Sequence, residues 1–353
     1  MTDPLRFYDQ TRPQLERWFE ELGHERYRAR QLFTNIYRRG LLDFDAMTDL
    51  PKPLRADLAA RMDIRGLEPL RQVVNQDGSA TKFLWRLRDG LEIESVLMRA
   101  DYGETICFST QVGCAFRCAF CITGRIGRLR DLTAGEIVAQ ILHLTRFRPD
   151  RDRGVNLVAM GMGEPMDNLD AMFQAIEILQ DPLGLNFSGR RITISTVGVV
   201  PGILRLAERY PSVGLALSLN ATTNEVREKL MPVTRKYPLE ALIPAVETYA
   251  KASPRRITVE YVLIRGVNDS PEDAERLGRI VERFPSKLNL IPFNPSELFP
   301  FERPTETEVD AFARRVWPYR TTVTVRYSKG LDILAACGQL GYDQVKGKEA
   351  AAP

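Results

Sequence analysis

The sequence predicts an α/β fold: a partial (β/α)6 barrel carrying a small N-terminal helical domain and a β-hairpin extension. Three observations carry this. Between residues 105 and 318, short apolar runs of strand length alternate with segments of helical period, six times over. Ahead of them, residues 67–104 alternate apolar and polar around the turn dipeptides Asp77-Gly78 and Asp89-Gly90. Residues 1–66 instead repeat apolar side chains at helical spacing. A closed barrel needs eight βα units, so six leave it open. The right-handed crossover rule leaves few other arrangements.

In the first segment, Leu15, Phe19 and Leu22 come after Thr11, and Tyr27, Leu32, Phe33, Ile36 and Tyr37 form a second apolar face. A third helical stretch, 44–62, is interrupted by Pro51 and Pro53. Strands are expected over 73–85 on both sides of the Asp77-Gly78 turn, then at 91–98 and at 105–110. Thr133 with Glu136 reads as a capping box opening a helix over 137–147. Strands then fall at 155–160, 192–196, 213–219, 257–264 and 288–293, with helices at 169–179, 203–210, 239–252, 271–284 and 306–317. The domains are placed at 1–66, 67–104 and 105–345. In such sheets a site forms at the carboxyl ends of the strands.

Composition excludes several classes. Hydrophobic residues make up 44% of the 353, ordinary for a globular protein. No apolar run reaches the roughly 18 residues of a membrane span, and the N-terminus lacks the apolar stretch of a signal peptide. Five cysteines, three of them tightly spaced, favour a reducing cytoplasm over a disulfide framework. A net charge of +3 does not by itself announce nucleic-acid binding, so local patches must carry that reading. One patch is Arg26, Arg28, Arg30, Arg38 and Arg39, which reads either as a solvated helix face or as a phosphate-contacting surface with interleaved tyrosines. Another is Arg117, Arg125, Arg128 and Arg130, a run without an acid. We take a monomer as the default.

The chemistry centres on Cys114, Cys118 and Cys121, a C-x3-C-x2-C run. Thiolates this close suit zinc, copper or an iron–sulfur cluster. Structural zinc takes four ligands, and neither His24 nor His143 is placed to be the fourth. Three ligands fit a cubane cluster with one open iron. Three merely buried cysteines, or a zinc knuckle with a distant fourth ligand, are the alternatives. Gly161-Met-Gly-Glu-Pro comes directly after a strand; its glycines allow close approach of a ligand, and Glu164 can accept from an ammonium group. Ser195, the run Ser218, Leu219 and Asn220, and Asn294 stand at successive strand tips, facing one mouth.

Together these motifs resemble the radical S-adenosylmethionine (SAM) superfamily: the three-cysteine run with Phe120 before its last member, and the glycine-rich loop with Gly163 and Glu164. The runs 190–198, 218–221, 227–232, 289–295 and 335–340, with 27–33 and 44–51 near the start, narrow the resemblance to the RlmN/Cfr family of RNA methyltransferases. It covers nearly the whole chain, to about residue 347. The resemblance implies a [4Fe-4S] cluster held by Cys114, Cys118 and Cys121, with SAM on the open iron. SAM would be bound by Gly163, Glu164, Ser195, Ser218, Leu219, Asn220 and Asn294. Asn220 departs from the pattern, since many members carry His there.

The reaction implied is methylation of carbon 2 of an adenosine in 23S rRNA, at the peptidyl transferase centre, and of the adenosine 3′ to the anticodon in tRNA. That carbon is electrophilic, so radical chemistry is needed. Two SAM are consumed: one methylates Cys337, and the other generates the radical that takes hydrogen from the S-methyl group. Cys107 would release the product by forming a disulfide with Cys337, and Glu94 would be the proton acceptor. This uses all five cysteines. Cys337, between Ala336 and Gly338, suits a mobile loop. Read singly, Cys337 and Cys107 are small buried hydrophobes. Glu92 and Glu94 alternate on a strand, so one faces solvent and one the site. The adenosine must be turned out of its RNA fold to be reached, and a flavodoxin-like protein would supply electrons. Rival readings are a Cfr-like carbon-8 methyltransferase and an iron–sulfur RNA-binding protein without methyl transfer.

Overall fold

In the computed structural model, which describes residues 3–101, 103–148 and 154–351, the N-terminal segment builds a cap on the barrel helices. Strand β1 (Leu5–Arg6) pairs in parallel with β2 (Met62–Asp63), closing a unit that contains α1 (Arg12–Glu21), α2 (Arg26–Tyr37) and α3 (Lys52–Arg61). Thr11 caps α1 through a reciprocal box with Gln14. Pro51 is the N-cap of α3, so the expected third helical stretch becomes regular helix only past that proline. Phe7, Tyr8, Phe33 and Tyr37 pack edge-on and tilted into one aromatic core.

Next come four strands, β3 (Glu68–Val74), β4 (Ala80–Arg86), β5 (Glu92–Ala100) and β6 (Gly103–Cys107), paired antiparallel in succession. β6 turns into the cysteine loop, which β7 (Gln111–Val112), α4 (Ile122–Ile126) and β8 (Arg130–Asp131) brace. Helix α5 (Ala134–Phe147) opens on the expected capping box: Thr133 accepts from the Glu136 amide at 3.1 Å and Glu136 accepts from the Thr133 amide at 3.0 Å. Asp9 takes the Gly135 amide at 2.7 Å, tying the cap to α5. A side chain at residue 135 would meet Asp9 and Tyr8 atoms at 2.6–2.8 Å, so only glycine permits this docking.

The barrel continues with β9 (Val155–Ala159), α6 (Leu169–Gln180), β10 (Ile192–Thr196), α7 (Val200–Arg209), β11 (Gly214–Ser218), α8 (Asn224–Leu230) and α9 (Leu239–Ala252). It ends with β12 (Ile257–Leu263), α10 (Pro271–Val281), β13 (Ser286–Pro292), α11 (Glu306–Val316), β14 (Thr322–Val325) and α12 (Tyr342–Ala351). One ten-stranded sheet runs in the order β14-β13-β12-β11-β10-β9-β6-β5-β4-β3. From β6 to β14 all pairings are parallel. The α/β partial barrel is as expected, with two differences. A further parallel strand, β14, is added to the expected set; its signal is a short Thr-Val-Thr-Val alternation with burial alternating in step. The hairpin strands do not stand apart, because β5 bonds to β6 and so extends the barrel sheet.

Candidate active site

The strand tips line an open cavity with about 960 Å³ of empty space, part of it continuous with solvent. Cys118 and Cys121 form one wall of it. Gly163 and Glu164 after β9, Ser195 in β10, and Ser218 and Asn220 at and after β11 line it as well. Asn294 and Cys337 complete the wall.

Gly163 has φ +102°, and a side chain there would meet Gln111 atoms at 2.6–2.9 Å. The glycine lets this loop lie against β7, and Gln111 accepts from the Glu164 amide at 2.9 Å. Glu164 is buried; its carboxylate accepts from the amides of Met166 at 3.1 Å and Val197 at 2.9 Å. Burial outweighs these bonds and pushes it up to about 7 in the protein alone. A carboxylate so placed is held ionised by an ammonium partner. Ser195 and Ser218 approach to 3.5 Å across neighbouring strands. Asn220 is left-handed at φ +56°, a conformation Asn tolerates, and accepts from the Val262 amide at 2.8 Å.

Two buried acceptors in this cavity have no hydrogen-bond partner: Asn294 Oδ1 and Glu260 Oε2. Asn294 uses its amide nitrogen on Ser328 Oγ at 2.9 Å and on the Cys337 carbonyl at 3.1 Å. Unsatisfied buried acceptors point to a donor-bearing ligand. The sequence reading missed Glu260. Its signal was available: an acid inside the apolar strand run of β12.

Some expected residues stand elsewhere. Leu219 does not line the cavity; its side chain is sealed in the core, its amide donates to the Glu260 carbonyl, and its carbonyl accepts from Arg227. Cys114 is buried behind the wall. Burial pushes the Cys114 thiol up to about 12 and raises Cys118 and Cys121 as well; the neighbouring sulfurs add to the rise at Cys114 and Cys118. Among the described residues no three His, Cys, Asp or Glu side chains close around a single ion. Sulfurs that bind different irons of one cube stand farther apart than ligands to one ion.

A second cavity, with about 1500 Å³ of empty space open in part to solvent, adjoins the first. It contains Cys107, and Arg99, Arg326 and Lys329 make part of its wall basic. Cys121, Met160, Gly161, Ile291, Arg326, Cys337 and Gly338 line both cavities, so Cys337 stands on the partition. Cys107 is buried and its thiol is pushed up to about 12, first by desolvation and then by Cys337. Cys337 is exposed on its loop, yet the surrounding protein raises its pKa too.

Glu94, not Glu92, is the buried member of its strand pair, but it lines neither cavity. Its carboxylate meets Lys82 Nζ at 3.1 Å and accepts from the Gly341 amide at 2.7 Å. Lys82 also donates to the Leu334 carbonyl at 3.4 Å. The pair therefore grips both ends of the Cys337 loop. The arginine patches are partly spent on ion pairs: Arg26 on Glu20, Arg30 on Glu16, Arg128 on Asp167, and Arg130 on Glu136 and Asp89. Arg117 and Arg125 are exposed beside the cysteine loop.

With this geometry in hand, residues 108–277 match the model of the radical SAM superfamily, and residues 6–64 match that of the ribosomal RNA large subunit methyltransferase N-terminal domain. The dual-specificity RNA methyltransferase RlmN of Geobacter sulfurreducens is 48% identical over 93% of this chain and 89% of its own. That of Pelobacter propionicus is 45% identical over 96% of each. The chain belongs to the RlmN family of radical SAM RNA methyltransferases. A radical SAM methyltransferase from Sphaerobacter thermophilus shares the fold with a TM-score of 0.91, at 47% identity over 96% of this chain and 99% of that one. The cofactors of such an enzyme are a [4Fe-4S] cluster and SAM, and the cavity fits them: thiols on one wall, a glycine-lined approach, a buried carboxylate for an ammonium group and two acceptors awaiting donors. No helix among the described residues is long and apolar enough to cross a membrane.

Proposed function

We propose that this enzyme methylates carbon 2 of an adenosine in 23S rRNA at the peptidyl transferase centre, and of the adenosine 3′ to the anticodon in tRNA, through S-methylated Cys337 and with two SAM per turnover. The observation that carries this is Cys337 on the partition between two cavities, one with the features of a SAM site and the other basic and holding a second thiol. A group that must receive a methyl on one side and deliver it on the other belongs at such a wall. The relatives named dual-specificity RNA methyltransferases supply the substrate class.

Held by Cys114, Cys118 and Cys121, a cluster with SAM would supply the radical that takes a hydrogen atom from the S-methyl group of Cys337, which makes that carbon able to add to an unactivated aromatic ring. The chain's residues do the rest. Glu164 holds the SAM ammonium, and Gly163, Ser195, Ser218, Asn220 and Asn294 orient it; Leu219 contributes by holding Arg227 and the β11 loop. Cys337 carries the carbon to adenine. Glu94 takes the carbon-2 proton, which requires its Gly341 contact to open as the loop moves. After the adduct has given up one electron, which the cluster site would accept, Cys107 attacks the Cys337 sulfur as a thiolate: the sulfur–sulfur bond forms, the electron pair of the bond to the transferred carbon goes to that carbon, the proton held by Glu94 completes the methyl group, and the product leaves. Both thiols lie in one cavity, which supports direct exchange. Arg99, Arg326 and Lys329 would meet RNA phosphate at its mouth. Arg26, Arg28 and Arg30 would add affinity on the cap; their ion pairs and exposed faces make this a salt-dependent contribution.

Every residue so assigned comes from one chain, so a monomer suffices. The five free thiols and the cluster suit the cytoplasm, with a flavodoxin-like donor. The test is nucleoside mass spectrometry of 23S rRNA and tRNA from cells lacking the gene, with and without its restoration. Gene-dependent 2-methyladenosine in both pools is expected. 8-Methyladenosine, or no methyladenosine in either pool, would overturn the reading.

A further inference from the structure

Arg227 heads the fully buried side chains in this protein by volume, at 0% exposure. It projects from α8 and does not itself line the SAM cavity. Its Nε donates to the Leu219 carbonyl at 3.1 Å, its Nη1 to Thr234 Oγ1 at 2.8 Å, and its Nη2 to the Val197 carbonyl. All three partners are neutral. Among the described residues no carboxylate forms an ion pair with it. A buried cation without a counter-ion is strongly unfavourable, and burial lowers its pKa only to about 10, so it stays charged at neutral pH.

The guanidinium is tied to the wall of the cavity that Cys118 lines: Val197, whose carbonyl takes its Nη2, lines that cavity together with Cys118. The scaffold keeps the two together: the Ala119 amide, next to Cys118, donates at 2.8 Å to the carbonyl of Leu230, the last residue of α8. Three thiolates around a cubane leave the oxidised site net negative, and reduction adds one further negative charge. A fixed cation nearby therefore favours the reduced form, since net local charge is one of the levers on cluster potential.

We propose that Arg227 is the counter-charge of the cluster site and raises its reduction potential, so that the electron donor can load it. Arg227 is a positioning residue in this sense: it touches neither SAM nor RNA and acts through the charge it sets beside Cys118. The inference rests on Cys114, Cys118 and Cys121 being the cluster ligands.

The test needs no RNA. Wild type, Arg227→Lys, Arg227→Met, Thr234→Ala and Cys118→Ala are reconstituted anaerobically, assayed for iron, and titrated reductively with electron paramagnetic resonance as the readout. Arg227→Met should lower the reduced-to-oxidised ratio at a fixed potential by about tenfold or more, a midpoint fall of about 59 mV for one electron. Arg227→Lys, which keeps the charge but not the three hydrogen bonds, should stay near wild type. So should Thr234→Ala, which removes one acceptor and no charge. An unchanged midpoint in Arg227→Met, or an equal fall in Lys and Met, would overturn the proposal, because hydrogen bonding and not charge would then be at work. Should Arg227→Met not retain iron, retention by Lys supports a counter-charge, and loss in both variants refutes it. Cys118→Ala tests the ligand reading separately: if it keeps full iron and the wild-type signal, that reading fails whatever Arg227 does.

Discussion

Replacing Lys82 with Met should destabilise the protein by about 3–5 kcal/mol, the usual loss on breaking a buried ion pair from one side. The structure shows why this pair falls in that class. Lys82 and Glu94 are 5% and 2% exposed and stand 3.1 Å apart. Met keeps most of the lysine stem, so packing is nearly conserved, but the Glu94 carboxylate is left buried with the Gly341 amide as its remaining donor from the loop. The Leu334 carbonyl also loses Lys82. For a chain of this size the loss corresponds to a fall of about 4–7 °C in melting temperature. Lys82→Met/Glu94→Met removes both charges and should recover most of the loss. The exposed pair of Lys229 and Glu225, at 70% and 78% exposure, serves as a control, and Lys229→Met should move the midpoint by at most about 1 °C. Hydrogen exchange should quicken in the segment 334–341 of Lys82→Met and not in α10. A single mutant that melts with wild type, or a double mutant as unstable as the single, would refute the reasoning.

The same geometry makes further outcomes testable. Cys337→Ala should retain iron and SAM binding and abolish RNA methylation, whereas Cys107→Ala should leave RNA covalently attached to the protein on denaturing gels; a Cys107→Ala enzyme that turns over freely would remove Cys107 from the mechanism. Glu164 titrates near 7 when folded, against an ordinary 4.5. A raised carboxylate pKa gives stability that is fully present below the unfolded value and is lost as pH rises through the folded one. Cluster-free protein should therefore lose up to roughly 3 kcal/mol across that window, and Glu164→Gln should not, so urea midpoints at about pH 5 and about pH 8 must diverge between the two. Gly163→Ala should weaken SAM binding by isothermal titration, because strain at positive φ costs about 1–3 kcal/mol and its Cβ meets Gln111. Gly266→Ala, at φ +67° with open space around it, carries only the conformational part and should bind SAM as wild type does.

The sequence by itself determined the parts of this protein that depend on local chemistry and period. Alternating strand and helix runs set the barrel class, the Thr133–Glu136 box set the start of α5, and the spacing of Cys114, Cys118 and Cys121 pointed to a cluster loop. The strand-tip residues Glu164, Ser195, Ser218, Asn220 and Asn294 were legible because a parallel sheet sends all its carboxyl ends to one mouth. Strand β14 left only a four-residue Thr-Val alternation in the sequence, and it is pairing with β13 that holds it in the sheet. Tertiary structure alone decided which glutamate of the β5 pair is buried, that Lys82 answers it across 3.1 Å, and that Leu219 serves the core. It also decided that Cys337 divides two cavities, and that the acid in β12 and the arginine in α8 point inward. These are contacts between residues far apart in the chain. A one-dimensional pattern reports which face of an element is apolar, but not which neighbour's charge or carbonyl the packed structure will bring to meet it.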